Sequence, residues 1–145
     1  MKKKFVKKSY IFYILMILIL TNRCEVDNDT NESIEIARSI VGTWKCKEKD
    51  YEGTTEFTYN VIISIKDYDS TIVRIYNFFN IGQNYYVKGK VNGYTITLNS
   101  GFFGNGYNLE AGNGTISTGL KKIEFTYTID EGDEIKKKFL ATYSK

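Results

Sequence analysis

Histidine and proline are both absent from this 145-residue chain, and cysteine occurs only twice. Without an imidazole there is no histidine-based triad, no histidine general base and no histidine metal ligand. Two cysteines give at most one bridge, so no dense disulfide framework holds the fold, which must stand on its core. No glycine-rich phosphate loop leads from a strand into a helix. Long apolar runs are missing too. The longest, Tyr10 to Leu20, has 11 residues, whereas a membrane-spanning helix needs roughly 20.

What stands at the N-terminus is a basic start (Lys2, Lys3, Lys4, Lys7, Lys8), that short apolar core, and then Thr21-Asn22-Arg23-Cys24. A basic start followed by a short apolar core is the pattern of an export signal. The stretch resembles lipoprotein signals, which are removed just before a cysteine that then carries lipid. The resemblance implies a signal peptide over 1–23 and lipid attachment at Cys24, and so a partner in the membrane itself. The chain departs from that pattern at Arg23 and Asn22, where the family has small residues. An ordinary signal peptide, with Cys24 free or bridged to Cys46, and an uncleaved anchor are the alternatives.

The charge belongs largely to this segment. The whole chain is +3, from 20 basic and 17 acidic residues; residues 1–23 hold six of the basic ones and no acid, so the remainder is −3. A basic surface for nucleic acid is therefore excluded. From Glu25 to Glu35 the chain is acidic and polar, a composition that reads as a tether of roughly 20 Å reach. A short helix with a Ser33 cap is expected over 33–40, so residues 24–40 form the lipid-bearing cysteine, tether and helix. Acidic residues directly after the cysteine resemble the surface-export signal of Bacteroidota lipoproteins. That likeness implies an outer-membrane lipoprotein of the cell envelope, displayed outward.

Residues 41–145 are rich in Tyr, Phe, Ile and Thr, which suit a pleated, half-buried surface. Phe57, Tyr59, Val61, Ile63 and Ile65 recur at every second position, as do Ile123, Phe125, Tyr127 and Ile129. That period marks strands with one buried face. Asn92-Gly93 predicts a two-residue hairpin turn, pairing Val91 with Tyr94 and Gly89 with Ile96. A second bend at Glu131-Gly132-Asp133 sets Ile129 opposite Ile135. Strands are expected at 41–49, 54–66, 71–79, 85–91, 94–98, 107–111, 115–117, 121–130 and 135–143. The fold class is all-β, an antiparallel meander closing into a barrel of about eight strands; a two-sheet sandwich is the alternative.

Gly42-Thr43-Trp44, following a helical segment and opening the first strand, resembles the Gly-x-Trp motif of lipocalins. Tyr59-Asn-Val-Ile-Ile, Val91-Asn-Gly-Tyr-Thr-Ile, Gly112-Asn-Gly-Thr-Ile-Ser and Ala141-Thr-Tyr-Ser extend the likeness to small lipocalin-like lipoproteins of Bacteroidota. The resemblance covers most of 41–145 and implies a lipocalin-like barrel with Trp44 in the core at one end, but brings no activity with it. Lipocalins of the animal type cover that tryptophan with an arginine. Here the last strand offers only Lys136, Lys137 and Lys138.

The chemistry on offer favours binding over catalysis. Cys46 shares the phase of Trp44 and should be a buried, inert thiol. Asp67-Tyr68-Asp69 reads as a turn, and no cofactor or metal is expected. Phe102 and Phe103, in the glycine-flanked Gly101–Tyr107 segment, read as a cap on the barrel or as the lip of a pocket or contact patch. With Tyr107, Tyr76 and Tyr86 they are the candidate surface for a small apolar molecule, a glycan or a surface protein partner. Tyr76 and Tyr86 are expected to be the best exposed. Bulky inward residues (Trp44, Phe57, Tyr59, Tyr127, Phe139) predict a filled barrel with at most a shallow pocket at one mouth.

Overall fold

The structure, a computed structural model, describes residues 28–132 and 136–145. The signal segment, Cys24 and Ile135 lie outside the described residues. A helix, α1 (Asn28–Ser39), precedes nine strands: β1 (Gly42–Asp50), β2 (Glu56–Ser64), β3 (Ile72–Tyr76), β4 (Tyr86–Asn92), β5 (Thr95–Leu98), β6 (Gly101–Gly104), β7 (Tyr107–Ile116), β8 (Lys122–Asp130) and β9 (Lys136–Ser144). All neighbouring strands are antiparallel, β1 pairs with both β2 and β9, and β5 pairs with β7, so the sheet closes on itself. Eight strands form the ring, and the short β6 pairs with the first part of β7, on the edge that β5 takes further along. The fold is therefore the closed antiparallel barrel rather than the sandwich, and closure leaves the ring no open edge.

The two ends are sealed differently. At one, α1 and the residue after it lay the buried Ile36, Ala37 and Ile40 across the opening, beside the fully buried Trp44. The Trp44 indole N–H donates to the Ile40 carbonyl at 2.8 Å. At the other, residues 78–80 form a single 3-10 turn that drives Phe78 into the core. Its ring lies 4.6 Å from that of Tyr127 and 5.6 Å from that of Phe103. Asn77, Phe79 and Asn80 all take left-handed backbone, with φ of 57°, 56° and 54°. For a phenylalanine this costs about 1–2 kcal/mol. Edge-to-face contacts of Phe79 with Tyr107 (5.1 Å) and Phe139 (4.8 Å) offset it.

Several expectations are corrected. Helix α1 starts at Asn28, inside the expected tether, and Ser33 is an interior residue of it rather than its cap. Its hydroxyl donates to the Asp29 carbonyl and accepts from the Gly93 N–H, tying the helix to the β4–β5 turn. In that hairpin Val91 pairs with Ile96 and Asn92 with Thr95, so the turn residues are Gly93, at φ 52°, and Tyr94. The register is shifted by two, which leaves the strand side chains on their expected faces, while Tyr94, expected on the buried face, lies in the turn and is exposed. Ile129 faces Lys137 rather than Ile135. The two strands expected at 107–111 and 115–117 are one, β7, with an irregularity between Leu109 and Ala111. Within it, Gly114 makes the space in which the Phe125 ring lies. Phe57, expected inside, is exposed, because β2 there runs past the core.

Candidate functional site

Strand β6 explains the paired phenylalanines. Alternation turns Phe103 into the core, 6% exposed, and leaves Phe102 in solvent at 82%. Between β6 and β4 lies an open cleft of about 530 Å³, with Tyr85, Tyr86 and Lys88 on one wall and Asn99, Ser100 and Phe102 on the other. Such a volume suits a small ligand. The Tyr85 ring rests directly on the backbone of Gly104, which takes φ 136°; any side chain there would collide with it. Gly104 thus fixes one aromatic wall of the cleft.

Behind this wall the outer face of β3 and β4 carries two cross-strand rungs, Tyr76 opposite Tyr86 and Arg74 opposite Lys88. Two cations directly opposite each other repel. Asp67, in the loop before β3, resolves this. Its carboxylate accepts from Arg74 Nε (3.1 Å) and Nη2 (2.8 Å) and from Lys88 Nζ (3.1 Å). The hydrogen bonds from Arg74 above all, with those from Lys88, lower the Asp67 pKa to about 2. Asp67 is therefore more than a turn former. The Arg74 guanidinium also lies 4.7 Å from the Tyr86 ring centre, and Lys66 Nζ lies 5.4 Å from that of Tyr76.

The sequence candidates thus separate. Phe102 and Tyr86 line the cleft, and buried Phe103 forms its floor. Tyr76 and Tyr86, expected to be the exposed pair, are half-buried, with ring centres 5.2 Å apart. Of the aromatics that line the cleft, the more exposed are Tyr85, at 39%, and Phe102. Tyr107 is engaged with Phe79 and Phe103 inside the mouth and contributes no surface to the cleft. Trp44 sits in the helix-capped end. Its cationic cover is Lys145, whose Nζ is 4.6 Å from the indole centre and donates to the Val41 carbonyl at 3.0 Å. Cys24 lies outside the described residues.

A second, larger cleft of about 720 Å³ runs between α1 and the β4–β5 hairpin. It has no aromatic wall, and its polar groups are largely committed to the fold, Asp69 to Thr71 and Ser33 to Asp29 and Gly93.

Inside the barrel, Glu48 is 4% exposed and accepts hydrogen bonds from the Tyr59 and Tyr127 hydroxyls. Burial pushes its pKa up, against the opposing effect of the two tyrosines. Burial also raises the Cys46 thiol to about 12, so it is no nucleophile at neutral pH. Neither Glu48 nor Lys88 figures among the sequence candidates. Glu48 shares the phase of Trp44 and Cys46, which marks it as inward-facing.

No protein-family model and no curated protein matches this chain. Among solved structures it is similar to a protein of Bacteroides fragilis provisionally classed as an outer membrane protein. The two share 14% identity at a TM-score of 0.46, over 77% of this chain and 53% of that one. The chain thus spans about half the length of that protein, and a likeness at this level bears on neither site nor activity.

Proposed function

We propose that this chain is an exported lipoprotein, held at the cell envelope through lipid on Cys24, whose barrel binds a saccharide in the cleft beside β6. The observation that carries the binding reading is the lining of that cleft. Two aromatic side chains, Tyr85 and Phe102, are offered to solvent next to the amide of Asn99 and the hydroxyl of Ser100. Sugars present an apolar ring face and a polar rim, and such a wall matches both. The interior of the barrel carries Trp44, Phe78, Phe125, Tyr127 and Tyr143 in its core, which favours an outer site over a lipocalin-like inner one. The lining of the cleft supports binding over turnover, since among the described residues it carries no pair of carboxylates of the kind that cleaves glycosidic bonds.

The test is calorimetric titration of the intact chain in detergent with oligosaccharides. Phe102→Ala should weaken binding by up to about tenfold, the worth of one aromatic contact, with no change in melting temperature, because Phe102 supports nothing in the core. Phe103→Ala should instead lower the melting temperature. Saccharide binding that ignores Phe102 would displace the site from this cleft. An exposed phenylalanine also suits a protein contact, and pull-down of an envelope protein in a Phe102-dependent manner, without any saccharide binding, would establish that reading. The anchor is tested separately: Cys24→Ala should move the protein from the membrane to the soluble fraction. Unaltered membrane association would exclude lipidation at this cysteine.

A further inference from the structure

Resting on the reading of the cleft as a saccharide site, we infer that its ligand is an anionic saccharide whose acidic group is held by Lys88. Among the described residues that line the cleft, Lys88 is the one that carries a charge; the remainder of the lining is aromatic, amide, hydroxyl, glycine or valine. No lining residue is acidic, so nothing in the cleft wall repels a carboxylate or sulfate. The Lys88 side chain is 40% exposed.

Lys88 can turn to a ligand at small cost because its partner does not depend on it. Both Asp67 oxygens are already engaged by the two-pronged Arg74 contact, and Lys88 shares one of them. An ammonium has three donors, of which this contact uses one. Behind Lys88, Arg74 and Lys66 lie on the same outer face, within contact of Tyr86 and Tyr76. Three cations against the one carboxylate that bridges two of them leave this part of the wall positive, on a chain that is net negative beyond residue 23. Of the three, Lys88 is the one whose side chain reaches the cleft. A sugar ring stacked on Phe102 or Tyr85 would place its acidic substituent toward the β4 wall, where Lys88 stands.

The experiment compares three oligosaccharides of equal length on the intact chain in detergent: a neutral galactose oligomer, an oligogalacturonate and a sulfated galactose oligomer. An acidic oligomer should bind about tenfold or more tightly than the neutral one, as a charge-assisted hydrogen bond implies. Whichever acid is preferred separates carboxylate from sulfate recognition. The preference should shrink with added salt. Lys88→Met should abolish that preference, read as the ratio of acidic to neutral affinity in the same variant, and Lys88→Arg should restore it. Equal binding of all three, or a preference that survives Lys88→Met, overturns the inference and leaves the saccharide cleft standing. Binding of none of the three overturns the saccharide reading, and the inference falls with it.

Discussion

Replacing Trp44 with alanine is expected to cost about 3–5 kcal/mol, the usual range for emptying a buried aromatic site, and so to lower the melting temperature by roughly 10–20 °C. Three contacts converge on this one side chain. It fills the helix-capped end of the barrel, its indole N–H holds the carbonyl of Ile40, and the Lys145 ammonium lies over its ring. Losing it does more than open a cavity. Ile40 follows directly on α1, so the bond from Trp44 fixes the end of the helix to the start of β1. Hydrogen exchange should therefore show α1 amides exchanging faster in Trp44→Ala, beyond the global loss of stability. Trp44→Phe separates the two effects. It keeps most of the ring and removes the hydrogen bond, and should cost about 1–2 kcal/mol. An unchanged melting temperature in Trp44→Ala would contradict its place in the core.

The barrel was legible because period-two alternation is strong in β2 and β8 and no crossover helix intervenes. Trp44 was readable for the same reason. Register and turn detail were less so. Asn92-Gly93 is a strong hairpin signal, yet Asn92 stays in β4 and pairs with Thr95 while Gly93 takes the left-handed position. A shift of two residues preserves the buried face, so hydrophobic pattern alone does not distinguish the two registers. The strands expected at 107–111 and 115–117 leave Gly112 and Gly114 between them, although both lie inside β7. Their role emerges only when Leu98 and Phe125, from neighbouring strands, are packed over them. The cleft is a sharper case. Phe102 and Phe103 stood out in sequence as adjacent aromatics in a glycine-flanked segment, but which of them faces out was open, and the companions of Phe102 come from β4 and from the segments flanking β5. Lys88 lies on the outward face of β4, where nothing in the local pattern marks it. Its pairing with Asp67, 21 residues earlier, and with it the charge of the cleft wall, depends on contacts that no local pattern encodes.

Glu48 gives the second large effect, and its sign can be fixed. Burial raises its carboxyl pKa in the folded chain, while in the unfolded chain it titrates near 4.5. Below that value both states hold the proton and the group adds no pH dependence to stability. As pH rises past it, the unfolded chain releases the proton and the folded chain keeps it, so stability falls through the interval up to the folded-state pKa and is level above it. Within that interval a single group changes stability by up to about 1.4 kcal/mol per pH unit. Glu48→Gln abolishes the titration and retains a carbonyl oxygen to accept from the Tyr59 or Tyr127 hydroxyl. The variant and the parent should therefore be similarly stable near pH 4 and diverge above it, with the variant the more stable at pH 8. Glu48→Leu makes the complementary point. It too removes the slope, but leaves the buried Tyr127 hydroxyl without its acceptor, at a cost of about 1–3 kcal/mol. Urea unfolding across pH 4–8 measures all three proteins. Parallel curves for parent and Gln variant would mean that Glu48 is ionised and solvated in the folded chain. Divergence would identify the Glu48–Tyr59–Tyr127 cluster as a neutral hydrogen-bonded group that the barrel holds at its centre.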